Sequence, residues 1–322
     1  MSRSALLCGA AIVLVSAVAA GSASAKDQFA TFDPKGSIYT FAAGIDASGT
    51  VAGWYEDSNG SVHGFLRTSD GTITAFDPKN STYTQVTSVN SNGEIAGWYR
   101  DGSGGFYSFV RGNDGSITKF NPTQGYEPGT VGVNAKGNVA GWYTMNGGQT
   151  AGFVGAPNGK IKQLSVEGVA INTKGSVTGV DGYDGFVRSA TGKIETFEAP
   201  GSPTFTIPTS INDSGVVAGY GQTECGISSG FSRSAGGEVT AVDPQDSSYT
   251  HIFGINDKGA LTGYYYYGGY HGFVRSHDGT YTTFDVPGDA QGTYPQGINS
   301  SGVVTGGYRD SNDVLHGFVG TP

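Results

Sequence analysis

Residues 254–264 of this chain read GINDKGALTGY, and variants of this segment recur along the sequence. In each copy an aliphatic residue precedes Asn or Asp, and a Gly-x-aliphatic-x-Gly segment begins three residues after that polar residue. The polar residues are spaced 44, 44, 38, 40, 44 and 43 apart. A period of this length indicates one supersecondary unit copied along the chain. The seven repeats are centred on Asp46, Asn90, Asn134, Asn172, Asn212, Asn256 and Asn299.

Each repeat predicts four antiparallel β-strands. The first strand ends at the Asn-centred motif, because Asn bonds its own backbone in turns and the Gly that follows accepts a positive φ. The Gly-x-aliphatic-x-Gly segment alternates as a second strand. Segments such as residues 271–275 (HGFVR) supply the third strand. The fourth strand ends in a segment such as residues 284–287 (FDVP). Four strands per repeat are typical of a propeller blade.

The two ends of the chain together account for the last blade. The seventh repeat stops at residues 316–319 (HGFV), after its third strand, whereas residues 29–34 (FATFDP) match a fourth strand. We therefore predict an all-β fold, a seven-bladed β-propeller of four-stranded antiparallel blades closed by the N-terminal strand. Such closure removes the open sheet edge. A right-handed β-helix is the competing architecture, and it needs no closure.

The first residues of the chain read as a targeting segment rather than as part of the fold. Arg3 precedes an apolar run over residues 5–20, and residues 23–25 (ASA) form a small-residue cleavage site. This pattern predicts a secretory signal peptide over residues 1–25. Residues 26–322 then form a single propeller domain of a secreted or periplasmic bacterial protein.

Composition limits the partners that we expect. Gly accounts for 55 of the 322 residues, which favours many short strands joined by tight turns. The 27 acidic and 18 basic residues give a net charge of −9, which argues against nucleic acid and anionic lipid as partners. No second long apolar run follows residue 20, so we predict no membrane span. After cleavage Cys225 is the one cysteine, and we expect a monomer without a cofactor.

The repeat resembles the bacterial extracellular repeat family named for a His-Ala-Phe motif, the HAF repeats. The resemblance extends over the whole mature chain and rests on the Gly-Ile-Asn segments, on the HGF tripeptides at 63–65, 271–273 and 316–318, and on the Phe-Asp-Pro segments. The middle residue is Gly instead of Ala, and four repeats lack the His. The resemblance implies export and a repeat architecture, without a defined activity.

Three polar positions recur among the repeats. Equivalent positions in adjacent blades should lie about 10 Å apart, the spacing of stacked sheets. Metal ligands lie within about 2.2 Å of their ion, so we predict no metal site at the recurring histidines, which we expect to bond neighbouring backbone. The recurring arginines and carboxylates predict ion pairs between blades or bonds within turns. The sets are His63, His271 and His316; Arg67, Arg111, Arg188, Arg233 and Arg275; and Asp33, Asp77, Asp243 and Asp285.

One face of the ring is predicted to carry the function. The loops between second and third strands and the connections between blades vary, and both emerge at the same face, where repeat scaffolds place binding sites. Aromatic residues that can stack on sugars or hold a peptide cluster near that face. Blade 4 is short at residues 180–184, which predicts a notch in the rim. The candidate ligand-binding residues are Trp54, Tyr55, Trp98, Tyr99, Trp142, Tyr143, Tyr264, Tyr265 and Tyr308.

Three functions remain open from the sequence. The favoured one is a binding or scaffold module for an extracellular glycan or protein, with no catalytic residues. The second is an enzyme acting on polysaccharide or another polymer through carboxylates and a Tyr or His at the channel mouth, for instance among Glu56, Asp57, Asp101 and Tyr55. A glycosidase would require two carboxylates about 5–10 Å apart. The third is a structural component of the envelope or a biofilm.

Overall fold

The computed structural model describes residues 28–121, 128–145, 148–202, 204–223 and 226–322. The predicted signal peptide and Cys225 lie outside these ranges. The described residues form 28 β-strands in seven four-stranded antiparallel sheets, which confirms the predicted fold class. No helix in this part of the chain has the length and apolar character needed to cross a membrane.

Each blade runs from an inner strand beside a central channel to an outer strand at the rim. The chain begins with β1 (Gln28–Phe32) and continues with β2 (Ser37–Ile45), β3 (Val51–Asp57), β4 (Val62–Arg67) and β5 (Ile73–Phe76) in blade 1, and with β6 (Ser81–Val89), β7 (Ile95–Asp101), β8 (Phe106–Arg111) and β9 (Ile117–Phe120) in blade 2. Blade 3 contains β10 (Pro128–Val133), β11 (Val139–Thr144), β12 (Thr150–Gly155) and β13 (Ile161–Leu164), and blade 4 contains β14 (Glu167–Ile171), β15 (Val177–Asp181), β16 (Asp184–Arg188) and β17 (Ile194–Phe197). Blade 5 contains β18 (Phe205–Ile211), β19 (Val217–Gln222), β20 (Ser228–Arg233) and β21 (Val239–Ala241), blade 6 contains β22 (Tyr249–Ile255), β23 (Leu261–Tyr266), β24 (Tyr270–Arg275) and β25 (Tyr281–Phe284), and blade 7 contains β26 (Gly292–Ile298), β27 (Val304–Arg309), β28 (Leu315–Thr321) and, as its outer strand, β1.

The N-terminal strand closes the ring, as the sequence predicts. Strand β1 pairs antiparallel with β28 from Gln28↔Thr321 to Phe32↔Gly317, so it is the outer strand of blade 7. Asp33, directly after β1, bonds the His316 ring of β28 and accepts a hydrogen bond from a blade 1 hydroxyl, Thr40 Oγ1. The closing strand is therefore tied to the blades on both sides of the seam.

A β-bulge in each inner strand explains the second glycine of the repeat. The register between inner and second strands shifts in all seven blades, for example between Ile252 and Gly254. The bulge brings the His251 carbonyl oxygen against Gly263, where any Cβ atom would collide with it. A side chain at this position would force the two strands apart, so each repeat keeps glycine there.

The core lies between the blades rather than inside any one of them. The third strand of every blade contributes one fully buried phenylalanine at the same repeat position. Each ring packs beside the aliphatic residue of the Gly-x-aliphatic-x-Gly segment, and the clusters extend into the neighbouring blade. These seven phenylalanines are Phe65, Phe109, Phe153, Phe186, Phe231, Phe273 and Phe318.

The Asn-centred turns form a belt of hydrogen bonds around one end of the channel. Each Asn side chain donates to the backbone carbonyl of the matching residue in the next blade, as Asn90 does to Asn134 at 2.8 Å and Asn299 does to Asp46 at 3.1 Å. Six such bonds cross six of the seven blade junctions. At the seventh junction the residue is Asp46, whose carboxylate has no proton to give to the Asn90 carbonyl.

Completing this belt should stabilise the protein. Asp46→Asn keeps the acceptor that Ser48 N and Thr50 N use, both at 2.8 Å, and supplies the missing donor. We expect the free energy of unfolding to rise by about 1 kcal/mol, the net value of one hydrogen bond. Denaturant unfolding would measure it. The control is Asp70→Asn in an exposed turn, which removes the same charge outside the belt; an equal gain there would contradict the explanation.

The recurring histidines bond more than the backbone that the sequence predicts. Each one bonds an aspartate carboxylate at 2.7–2.8 Å, as His63 bonds Asp77. His271 also makes the expected bond to neighbouring backbone, at the Tyr267 carbonyl, 3.2 Å away.

The recurring arginines make the predicted bonds within turns. Four of them bond a carbonyl of their own turn, as Arg67 does at Thr68; the four are Arg67, Arg111, Arg188 and Arg233. Three of them also lie over an outer aromatic ring of the preceding blade, as Arg67 lies 5.1 Å from the Phe32 ring. The predicted ion pair between blades is found at Arg233, whose partner is Glu195 and not one of the recurring aspartates.

Candidate functional site

The two ends of the channel differ in width and chemistry. At the end where the inner strands finish, a space of about 240 Å³ is ringed by the belt asparagines and their preceding aliphatic residues. At the opposite end, where the variable loops emerge, a cavity of about 640 Å³ opens between the inner strands. We call this larger space the channel cavity. Its size lies within the range of about 300–1,000 Å³ that is usual for small-ligand sites.

The channel cavity has an aromatic wall interrupted by a few polar groups. Among the described residues that line it, Glu167 is the one acid, and no lysine or arginine is present. The aromatic residues are Phe41, Trp54, Trp142, Phe205 and Phe253, and the polar side chains are Gln85, Thr87, Glu167, Thr209 and Gln296. Apolar walls with a few convergent polar groups are typical of ligand sites.

The two tryptophans of the cavity are held by neighbouring groups. Trp54 on β3 stacks between Tyr39 and Phe41 of β2, with ring centroids 5.5 Å from each. Trp142 on β11 lies against Gly129 of β10, where a Cβ atom would overlap the indole. These contacts fix both indoles before any ligand arrives, so binding would require little further ordering.

Glu167 and the short blade 4 shape the opposite wall. Glu167 begins β14 and accepts a hydrogen bond from Thr150 Oγ1 of blade 3. The hairpin between β15 and β16 has only Gly182 and Tyr183 at its turn, and Gly182 has a φ of 65°. Val180 and Gly182 consequently line the cavity where other blades carry longer loops. This is the position at which the sequence predicts a notch.

The structure separates the predicted ligand-binding residues into two groups. Trp54 and Trp142 line the channel cavity, whereas Trp98 is 8 % exposed and packs on Tyr83 at 4.9 Å. Adjacent residues of a strand point to opposite faces, so the tyrosines that follow the tryptophan position pack between blades. Tyr55, for example, packs against the cluster that joins Phe32 of the closing strand to Phe65 of blade 1. The other tyrosines of this group are Tyr99, Tyr143, Tyr265 and Tyr308.

A second cavity adjoins the first between blades 6, 7 and 1. It has a volume of about 460 Å³ and shares Phe41, Phe253 and Gln296 with the channel cavity. Tyr264, a predicted site residue, lines it together with Tyr294. We call it the tyrosine cavity.

Sequence reasoning missed the inner-strand residues of both cavities. They lie two or four residues before the aliphatic residue of the Asn-centred motif, and they differ from blade to blade. A search for variable positions inside an otherwise constant repeat would have found them. They include Phe41, Gln85, Glu167, Phe253, Tyr294 and Gln296.

A buried histidine supports the tyrosine cavity from behind. His251 is 7 % exposed and stacks on Tyr220, with ring centroids 3.5 Å apart. Its Nδ1 lies 3.2 Å from Tyr264 Oη and 3.4 Å from Tyr249 Oη. Burial lowers the pKa of His251 to about 4, so the imidazole is neutral at pH 7. Burial also raises the pKa of Tyr294 to about 12 and that of Tyr264 further, so both hydroxyls keep their protons.

The depressed pKa of His251 predicts a loss of stability in mild acid. The unfolded chain takes up a proton at this residue near pH 6.5, whereas the folded protein takes it up only near pH 4. The contribution of His251 to the free energy of unfolding is therefore fully present above pH 6.5 and is lost as the pH falls from 6.5 toward 4. We expect the free energy of unfolding to be lower by about 2 kcal/mol at pH 5. Urea unfolding at pH 7 and pH 5 would measure it, with His251→Phe as the control. The same pH dependence in both proteins would contradict the assignment.

The acidic groups of the two cavities can be compared with those that a glycosidase or a metal ion requires. Glu167 has no second carboxylate beside it in the channel cavity, as a two-carboxylate glycosidase would require. Within the described ranges, no group of three His, Cys, Asp or Glu side chains could hold a metal ion. What the cavities offer is flat aromatic surface with amide, hydroxyl and carboxylate groups at its edges.

Comparison with known proteins agrees with the fold. The chain is a seven-bladed β-propeller. Its sequence matches no family model and no curated protein. Among solved structures it is similar to virginiamycin B lyase from Staphylococcus aureus with quinupristin (14 % identity, TM-score 0.64, 92 % of this chain and 100 % of that one).

Two further structures illustrate the range of proteins that share this fold. An oligogalacturonate lyase in complex with manganese has 8 % identity and a TM-score of 0.62, covering 92 % of this chain and 96 % of that one. The lectin BP39L from Burkholderia pseudomallei has 9 % identity and a TM-score of 0.53, covering 88 % and 97 %. At sequence identities this low, the structural similarity establishes the propeller fold alone. The function has to be argued from the residues of the site.

Proposed function

We propose that this protein is an exported binding module that holds a glycan in the channel cavity. The observation that carries the proposal is the lining of that cavity, in which Trp54 and Trp142 stand beside Gln85, Glu167 and Gln296. Sugar rings present apolar C–H faces with hydroxyl groups around their edges. An aromatic wall covers such faces, while amide groups donate and accept hydrogen bonds at such edges and a carboxylate accepts them.

The rigidity of the site supports binding with useful affinity. Ordering mobile side chains on association costs about 0.5–1.5 kcal/mol for each rotamer-rich side chain. Trp54 is already stacked between two rings, and the glycine beside Trp142 leaves its indole closely seated. A closed ring of blades holds these walls at fixed separation.

A glycan array tests the proposal. Residues 26–322 are expected to bind one class of glycan, and Trp142→Ala and Glu167→Gln are each expected to weaken binding at least tenfold, about 1.4 kcal/mol. Trp98→Phe is the matched control, because Trp98 is buried away from the cavity. All variants are compared at equal folded fraction by thermal unfolding. Binding to no glycan, or binding that both cavity variants leave unchanged, would contradict the proposal.

A further inference from the structure

The channel cavity is the inner end of a longer depression that reaches the rim. The tyrosine cavity joins it through Phe41, Phe253 and Gln296. A third cavity of about 490 Å³ continues outward between blades 6 and 7, and it shares Tyr270 with the tyrosine cavity. We call the three together the channel-to-rim groove. All of its outer part is built from the loop of blade 6 and the connection from blade 6 to blade 7.

Aromatic rings follow the whole length of this groove. Phe253 lies 5.7 Å from Tyr264, and Tyr264 lies 5.1 Å from Tyr294. Tyr294 in turn lies 5.5 Å from Tyr270, and Tyr270 lies 5.1 Å from Tyr266. Tyr266 and Tyr270 are 39 % and 36 % exposed, a large exposure for rings that rest on one another. Contiguous exposed aromatic surface of this kind marks a recognition site.

The charged groups along the groove already have partners within the protein. Arg309 Nη1 contacts Asp313 Oδ1 at 2.8 Å. Asp289 accepts hydrogen bonds from Gly292 N and Thr293 Oγ1, at 2.6 and 2.7 Å. Farther out, the Asp285 carboxylate bonds the ring of His271 at 2.8 Å. An anionic ligand would have to displace Asp313 from Arg309 and would face the carboxylates of Asp289 and Glu167. The groove therefore favours an uncharged ligand over an anionic one.

The shape of the groove favours a chain over a compact molecule. Each of its three cavities exceeds the lower limit of about 300 Å³ for a small-ligand site, so a single small molecule would fill only one of them. A peptide chain would bind best by adding to a strand edge. At the inner strand of blade 6 the Ile252 carbonyl already accepts a hydrogen bond from Thr209 Oγ1 of blade 5 at 2.8 Å, so this edge position is not free for a peptide.

We infer that the channel-to-rim groove binds a neutral, linear oligosaccharide, with one end in the channel cavity and successive sugar units lying over Tyr264, Tyr294 and Tyr270 toward the rim. This inference rests on the proposed function, and it adds the class of ligand and its direction. Each additional unit covers further aromatic surface, so affinity should rise with chain length until the rim is reached.

Isothermal titration calorimetry with β-1,4-linked oligomers of glucose, xylose and N-acetylglucosamine, from one to six units, tests the inference. We expect the affinity to rise at least tenfold from two to five units for the class that binds. Tyr270→Ala should abolish that rise, because Tyr270 lines both the tyrosine cavity and the outer cavity. The matched control is Tyr267→Ala in the same loop, an exposed ring that lines none of the three cavities and whose removal should preserve the rise.

The possible outcomes separate the inference from the proposal beneath it. Affinity that is independent of chain length, or a rise that Tyr270→Ala leaves intact, overturns the inference while the channel cavity remains a glycan site. The inference is also overturned if Tyr267→Ala loses the increase of affinity with chain length together with Tyr270→Ala. Binding of no oligomer of any length overturns the inference, and the proposed function falls with it when the glycan array also shows no binding. Tighter binding of an uncharged extended peptide than of any glycan overturns both.

Discussion

Phe32→Ala is expected to lower the free energy of unfolding by about 3–5 kcal/mol, the usual loss for a buried phenylalanine. Phe32 belongs to the closing strand β1 and is 9 % exposed. Its ring packs edge-on against Phe65 at 5.8 Å, lies under the Arg67 guanidinium and covers Gly317 of β28. Truncating it would therefore open the junction of blades 7 and 1 as well as the β1–β28 pair. Urea unfolding followed by circular dichroism would measure the loss.

The control for this prediction is an apolar residue of an outer strand that does not close the ring. Ile194 of β17 is 38 % exposed, so Ile194→Ala should cost no more than about 1 kcal/mol. A variant that begins at Lys35 should in addition expose the free edge of β28 and self-associate, which size-exclusion chromatography would show. Equal stability losses at the two positions, together with a monomeric truncated protein, would contradict closure by β1.

Asn256→Ala is expected to cost about 3 kcal/mol, because it removes one buried and two part-buried hydrogen bonds to the backbone. Asn256 is 6 % exposed, and its side-chain amide donates to the Asn299 carbonyl at 2.9 Å. Its Oδ1 accepts from Lys258 N and Ala260 N, at 3.0 and 2.9 Å. The substitution would remove the turn bonds and the blade-to-blade bond together. Thermal and urea unfolding would both report the loss.

Asn256→Asp separates the two contributions, because it keeps the turn acceptor and loses only the donor. Its predicted cost is about 1 kcal/mol, one belt hydrogen bond, and it reproduces at blade 6 the chemistry that Asp46 gives blade 1. Should the Asp variant cost as much as the Ala variant, the turn bonds would contribute nothing. Should it cost nothing, the belt would not contribute to holding the blades together.

The architecture could be predicted from the sequence because one unit is repeated. Seven matching repeats, separated by six similar spacings, predict the number of blades, and the fourth-strand motif in residues 29–34 predicts the strand that completes blade 7. The reason for the constant glycine could not be predicted in the same way. It depends on the bulge that brings a carbonyl such as that of His251 against Gly263, and no local pattern of the chain specifies that contact.

The site could be predicted only in part. Trp54 and Trp142 can be predicted because they hold one repeat position near the variable loops, and both line the channel cavity. The same prediction includes Tyr55, although adjacent strand residues face opposite sides. The inner-strand contributors, such as Glu167 and Gln296, carry no motif. They become neighbours only when distant repeats meet around the channel.

Tryptophan fluorescence during glycan titration tests the central claim most directly, since the chain holds three tryptophans and two of them line the channel cavity. The protein is expected to show a saturable change in emission that gives the same Kd as calorimetry. Trp98→Phe should retain that change, and Trp54→Phe combined with Trp142→Phe should lose it. Calorimetric binding that leaves the emission of Trp54 and Trp142 unaltered would place the ligand elsewhere and contradict the account.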